Sequence, residues 1–192
     1  MVLTAPYPAR ARLTQRARLT QRARLREMAD TGAAGAGGAA RPDISRLRSR
    51  LARPDDYDAI AAVVNLWWGR PVLAALPRLF LDHFHDSSLV VDGPEGPAAF
   101  LIGILSPAQP RRAYIHFAGV APQARQAGLG RRLYEEFFAL ARADGRRVVS
   151  AVTAPANAGS IAFHRSMGFA VTGPVPDYDG PGRDLVTFER PL

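Results

Sequence analysis

From residue 44 onward the apolar positions recur with two periods, and their alternation lays out a mixed α/β domain. Residues 44–51 read as a first strand. Pro54 or Asp55 then opens a helix that runs through Ile60, Val63 and Val64 to Leu66-Trp67-Trp68 and breaks at Gly69-Arg70-Pro71. Leu76, Leu79, Phe80 and Phe84 fall at helical spacing and predict a second helix. Residues 88–92 and 98–105 predict a hairpin around the Gly-Pro turn at 93–97, closed by Pro107 and Pro110. Residues 114–120 (YIHFAGV) are rich in strand formers and stop at Ala121-Pro122. With a period of two, Tyr114, His116 and Ala118 share one face of that strand, and Ile115 and Phe117 the other. Leu129, Leu133, Phe137 and Leu140 mark one face of a third helix that ends near Asp144-Gly145. Residues 148–152 (VVSAV) predict the next strand. A short helix follows, capped by Asn157 or Ser160, packed through Ile161, Phe163 and Met167, and ended by Gly168 in a left-handed conformation. A turn-rich loop at 173–182 leads to a last strand at 185–189.

The segment before residue 44 has no such pattern. Residues 1–50 carry eleven arginines against Glu27, Asp30 and Asp43, so the whole formal charge of +8 sits in the first quarter and the remainder is balanced. The high isoelectric point therefore says nothing about the domain as a nucleic-acid fold. Arg10-Ala-Arg-Leu-Thr-Gln repeats at Arg16 and, in altered form, at Arg22. A six-residue period points Leu13, Leu19 and Leu25 in three directions on a helix, so no apolar face forms. Residues 31–40 (TGAAGAGGAA) read as a flexible linker. Residues 1–43 are thus expected to be a disordered basic extension, and residues 44–192 the folded domain. Four roles fit the extension: salt-sensitive contact with nucleic acid or an anionic surface, a transit peptide, a solvated tail, or an upstream artefact with the start at Met28. The last two are favoured, because 25 basic residues without one lysine indicate a GC-biased coding sequence in which short duplications arise readily. The chain has no cysteine, which excludes disulfides, thiol catalysis and thiolate metal sites. No apolar run reaches the length of a membrane span and no secretory segment follows the charges, so a cytoplasmic location is expected.

The chemistry concentrates at Arg125-Gln126-Ala127-Gly128-Leu129-Gly130, a two-glycine loop running from strand 114–120 into the third helix. Glycines there let backbone approach a ligand, and the N–H groups of residues 125–131, Arg131 included, offer an anion a helix N-terminus. The Arg125 side chain adds a full charge. A nucleotide P-loop needs a Gly-Lys-Ser/Thr ending, which a lysine-free chain cannot supply. A dinucleotide fingerprint needs a third glycine and a placement after the first strand.

The spacing R-x-x-G-x-G instead resembles the [RQ]-x-x-G-x-[GA] signature of the GNAT N-acetyltransferase superfamily. The block from Asn157 through Ser160, Ile161, Phe163 and His164 to Gly168-Phe169 is similar to that superfamily's N-x-x-[AS]-x-x-[LF]-Y-x-x-x-G-F. The resemblance spans residues 44–192 and implies an α/β GNAT fold: a mixed, mostly antiparallel central sheet splayed between its fourth and fifth strands and flanked by about four helices. It implies acetyl-CoA as co-substrate, with the diphosphate on residues 125–131. The pantetheine arm would lie as an extra strand along Ala118, Gly119 and Val120, with Gly119 allowing close approach. Asn157, Ser160 and Phe163 would reach it from the other side. It also implies direct attack by a primary amine in a ternary complex, with the thioester carbonyl polarised by a strand N–H near Val120.

One departure stands out: the family's tyrosine, taken to protonate the leaving thiolate, is replaced by His164. Imidazolium can do that work, and the alternative is a histidine that only caps or packs its helix. For the amine's proton the candidates are His116 and then Tyr114, on the strand that borders the reaction centre in this superfamily. A hydrogen-bonded core histidine is the competing reading. His83 and His85 lack a third ligand at metal spacing, so no metal is expected. With Asp82 and Asp86 they become possible acceptor contacts on the second helix, or a solvated helix end. Trp67, Trp68, Asp177, Tyr178 and Asp179 complete the candidate acceptor pocket, although Asp in a Gly/Pro loop is commonly a turn former. The expected partner is a small-molecule or peptide amine, with no membrane, nucleic acid only through the basic arm, and a monomer or homodimer. A non-enzymatic acyl-CoA sensor using that arm on nucleic acid is the alternative.

Overall fold

The computed structural model describes residues 47–192. The basic extension, its repeat, the linker, the boundary expected at 43/44 and the start of the expected first strand lie outside the described residues.

Seven strands form one mixed sheet: β1 (Ser49–Leu51), β2 (Leu89–Gly93), β3 (Gly96–Leu105), β4 (Arg112–Val120), β5 (Val148–Thr153), β6 (Ala170–Val175) and β7 (Leu185–Pro191). Their spatial order is β1-β2-β3-β4-β5-β7-β6, and among the described residues only β4 and β5 pair in parallel. Four α-helices flank the sheet: α1 (Asp56–Trp68), α2 (Leu79–Phe84), α3 (Leu129–Ala143) and α4 (Ala158–Ser166). Among the described residues no helix is long and apolar enough to cross a membrane.

The helix ends follow from local chemistry. Asp56 accepts from the Arg53 N–H (2.7 Å) and from both terminal nitrogens of Arg50 (2.8 Å each), which ties the start of α1 to β1. Gly69, at φ 65°, ends α1 in the left-handed conformation that favours glycine. The second helix is shorter than its spacing predicts. Pro77 has no N–H to continue a helix through it, so Leu76 is buried ahead of α2 while Leu79 stands exposed on it. On α3 the buried stripe is broader than predicted, because Tyr134, Phe138 and Ala141 join Leu129, Leu133 and Phe137, whereas Leu140 is half-buried. Each fully buried aromatic of this kind contributes about 1.5–3 kcal/mol.

Two cores sandwich the sheet. One packs α3 and α4 against Leu101, Ala113, Ile115, Ala151 and Phe188. The other packs Ile60 and Val64 of α1 and Leu81 of α2 against Val90, Phe100 and Ile102. The strict alternation expected on β4 fails at His116. Opposite it the register jumps from Ile102↔Phe117 to Gly103↔Ile115, so β4 carries one extra residue. In consequence Ile115 joins the α3 side while Phe117 packs on the α1 side, and Ala118 faces α3 rather than sharing a face with Tyr114.

This bulge is also where the sheet opens. The β4–β5 register holds only for Arg112↔Val148, Ala113↔Val149 and Tyr114↔Ser150. Beyond it no pairing joins residues 115–120 to residues 151–153, and the two strands part.

Candidate active site

The loop that closes the gap at one end is built for anions. Gln126 and Gly128 both take positive φ (70° and 78°), which swings the chain into the first turn of α3. Arg125 and Ala127 spend their N–H groups on long bonds to Pro122 and Ala124 carbonyls, 3.4 Å each. No described residue accepts from the N–H groups of Gln126, Gly128, Leu129, Gly130 or Arg131, which therefore remain as donors at the positive end of α3. The Arg125 guanidinium does not hang free at this mouth as expected. It donates to the Trp67 carbonyl at 2.7 Å, answering the negative end of α1 and fastening that helix to the loop.

Along the gap, β4 presents backbone. Ala121 N–H donates to Ala98 O at 2.9 Å, so strand alternation directs the N–H and C=O of Val120 and Ala118 away from β3, into the opening. Gly119 is explained differently from the sequence expectation. A Cβ there would lie 2.7 Å from Trp68 Cη2 and 3.0 Å from Phe100, so its bareness makes room for Trp68 on the α1 side rather than for a ligand.

Two cavities meet in the gap. One, of about 280 Å3, runs past Val120, Gly130 and Phe163; the other, of about 360 Å3, passes Ala75, His116, Phe117 and Thr153. They share Trp68, Ala118, Tyr134, Asn157, Ser160 and His164, which mark the junction. Asn157 holds its place by accepting from Ser160 N–H (3.2 Å) and donating to Thr153 Oγ1 (3.1 Å).

At the junction, His164 is 5 % exposed and stacks on Phe188 with centroids 4.0 Å apart. Its Nδ1 lies 2.8 Å from the Ser160 carbonyl, which can only accept, so Nδ1 carries the proton. Burial lowers its pKa, outweighing that hydrogen bond, and leaves a neutral ring whose Nε2 accepts from the Tyr134 hydroxyl at 3.1 Å. Burial likewise pushes the Tyr134 phenol well above its ordinary value. Tyr134 was missed by sequence reasoning, where it reads as one more apolar position of α3.

His116 is arranged in the mirror sense. Its Nε2 lies 2.7 Å from the Ala75 carbonyl and so must donate, which leaves Nδ1 with the lone pair. The ring stacks on Phe80 with centroids 3.8 Å apart. Burial lowers its pKa, the bond to Ala75 opposing.

The remaining candidates scatter. Tyr114 lies in a separate cavity with Ser150, Tyr178, Arg112 and Glu189, and burial, then Tyr178 and Asp179, push its phenol up to about 12. His83 is exposed, and His85 donates from Nδ1 to Leu81 O (3.1 Å); neither borders the gap cavities, nor do Asp82 and Asp86. Asp177 accepts from Gly182 N–H (2.6 Å) and Asp179 pairs with Arg183 (3.3 Å), so both carboxylates serve the loop itself. Among the described residues no group of three His, Cys, Asp or Glu could hold a metal.

A model of the acetyltransferase (GNAT) family matches residues 57–169, more than half of the chain. The chain belongs to this family. A GNAT-family protein from Desulfovibrio desulfuricans superposes with TM-score 0.64 at 21 % identity, covering 76 % of this chain and 97 % of that one. A Salmonella typhimurium protein solved with its cofactor acetyl-CoA gives 0.59 at 23 %, covering 77 % and 94 %. The ribosomal-protein-alanine N-acetyltransferase of Brucella melitensis gives 0.57 at 25 %, covering 76 % and all of that chain. No curated protein sequence matches. Within the GNAT pattern the departure at His164 has a structural counterpart. Tyr134 brings a hydroxyl from α3 to the same junction, within hydrogen-bond distance of His164.

Proposed function

We propose that this chain transfers an acetyl group from acetyl-CoA to a primary amine by direct attack in a ternary complex. The junction carries this reading: an anion cradle, a strand edge and a proton acceptor converge on one short stretch of the gap. The diphosphate binds the free N–H groups from Gln126 to Arg131. The pantetheine arm follows Val120 and Ala118 as a pseudo-strand, and the thioester carbonyl lies against the Ala118 N–H, which gains strength as the oxygen becomes negative.

His116 takes the amine's proton at Nδ1, directly or through one water, freeing the nitrogen lone pair to attack. As the C–N bond forms and the C–S bond breaks, the thiolate departs toward Tyr134 and His164, and the second proton, shed by the acylated nitrogen, passes through water to the sulfur so that the coenzyme leaves as free thiol. His164 has no proton at Nε2 in its neutral form. The single Tyr134 hydrogen rests on His164 Nε2 and turns from there to the sulfur as charge develops, and a phenol with its pKa raised so far by burial hydrogen-bonds the sulfur anion without surrendering its proton. His164 then orients Tyr134. Positioning of amine and thioester supplies the larger part of the acceleration.

The test is thiol release from acetyl-CoA with a panel of amines, together with calorimetric titration of the coenzyme. Binding with amine-dependent thiol release is the expected result. Absence of binding overturns the reading, and binding without transfer to any amine turns the chain into a coenzyme sensor.

A further inference from the structure

The acceptor half of the gap has a distinctive charge. Its cavity is lined by Arg70, Pro71, Val72 and Ala74 from the turn after α1 and by His116 from β4. Among the described residues Arg70 is its only formally charged lining residue, since burial lowers the pKa of both lining histidines and no described carboxylate borders it. Other guanidinium groups are engaged: Arg78 with Asp58, and Arg125 with the Trp67 carbonyl. Arg70 makes no such pair with any described residue, and it is exposed while lining the cavity.

The placement of Arg70 is fixed by the fold even though its side chain is long. Gly69 ends α1 with φ 65°, and Asn65 Oδ1 accepts from the N–H groups of Val72 (2.7 Å) and Leu73 (3.0 Å), pinning the turn that presents residue 70. The partial negative charge at the end of α1 is answered by Arg125, which leaves the Arg70 charge for a ligand.

Resting on the acetyltransferase reading above, we propose that the acceptor is an amine carrying a carboxylate close to the reacting nitrogen, and that Arg70 receives that carboxylate while the amine lies at His116. A guanidinium pairs with a carboxylate through two parallel N–H donors, which fixes direction as well as distance. Such an acceptor is a free amino acid or the acidic N-terminal end of a short peptide. Polyamines and aminoglycosides are disfavoured, because each would bring a second cation to Arg70 with no lining anion to balance it.

The experiment compares matched acceptors on the full chain with saturating acetyl-CoA: L-alanine against L-alaninamide, the peptide amide Asp-Asp-Ala against Ala-Ala-Ala, and spermidine. The carboxylate-bearing member of at least one pair is expected to show a KM lower by about five- to tenfold, the range of a partly solvated charge-assisted contact. The first pair identifies a free amino acid, the second an acidic chain end. Arg70→Ala closes the gap within the pair, Arg70→Lys keeps part of it, and Arg70→Glu inverts it. Preference for spermidine, a preference that survives Arg70→Ala, or turnover of neither carboxylate-bearing acceptor overturns the inference while leaving acetyl transfer to other amines intact. Failure of acetyl-CoA itself to bind is a separate signal, and it removes the underlying function as well.

Discussion

The Tyr134 hydroxyl donates to Nε2 of His164 across 3.1 Å, joining α3 to α4. The two groups define each other: Ser160 fixes the histidine tautomer, and the tautomer fixes the direction of the phenol hydrogen. Tyr134→Phe removes the hydrogen that would meet the thiolate and leaves a buried acceptor unpaired. It is expected to lower kcat at least tenfold and stability by about 1–3 kcal/mol. His164→Gln, which can still accept from the phenol, is expected to retain more activity than His164→Ala. Equal loss in both His164 variants with full activity in Tyr134→Phe would reassign the proton to His164.

Burial holds the folded-state pKa of both His116 and His164 below 6.5. Between those depressed values and 6.5 the unfolded chain binds more protons than the folded one, so stability rises with pH through this window. The contribution is complete above about pH 6.5 and is lost as pH falls through the folded values. Thermal denaturation of the wild type from pH 5 to 8 is expected to show Tm falling on the acid side. The His116→Gln, His164→Gln double variant should flatten that slope, and a slope unaltered by the substitutions would assign it to carboxylates instead.

In the proposed reaction His116 takes the amine's proton only when it is itself neutral. With its pKa lowered, the acid limb of kcat/KM should lie below the ordinary histidine value, so activity persists to more acidic pH than an unperturbed imidazole allows. His116→Ala is expected to cost about 10²–10⁴-fold in kcat and to abolish that limb. A stopped-flow or steady-state pH profile decides the matter, and a limb that remains in the variant removes His116 from the proton path.

The features legible in the chain were those written in local chemistry: the helix break at Gly69, the Gly128 turn, the Asn157 cap and the order of the elements. Those that were not legible depend on partners distant in sequence. The bulge at His116 arises from its register against Ile102 and Gly103, so period-two reasoning placed Ile115 and Phe117 together when they face opposite cores. Tyr134 looks like one apolar position among several until α4 brings His164 to it. Asp177 and Asp179 read either as acceptor contacts or, more commonly for Asp in such a loop, as turn formers, and the choice falls to Gly182 and Arg183, which fold back onto them.

Gly119 and Gly130 separate packing from binding. At Gly119 an added Cβ meets Trp68 at 2.7 Å, so Gly119→Ala is expected to cost about 1–3 kcal/mol through displacement of the Trp68 ring. The loss should shrink when Trp68 is replaced by Leu in the same chain. At Gly130 the added Cβ would find Val120 Cγ2 at 3.6 Å and Phe163 Cζ at 3.7 Å, both ordinary contacts, and the residue lies in a helix turn. Gly130→Ala should therefore fold with equal or greater stability, by up to about 1 kcal/mol from helix propensity. What the methyl group does intrude upon is the 280 Å3 cavity between Val120 and Phe163. Acetyl-CoA titration is expected to show weaker binding by Gly130→Ala, more so by Gly130→Val, with Tm preserved in the alanine variant. Undiminished affinity in both variants would mean that the coenzyme does not pass between Val120 and the first turn of α3, and the proposed cradle would have to be abandoned.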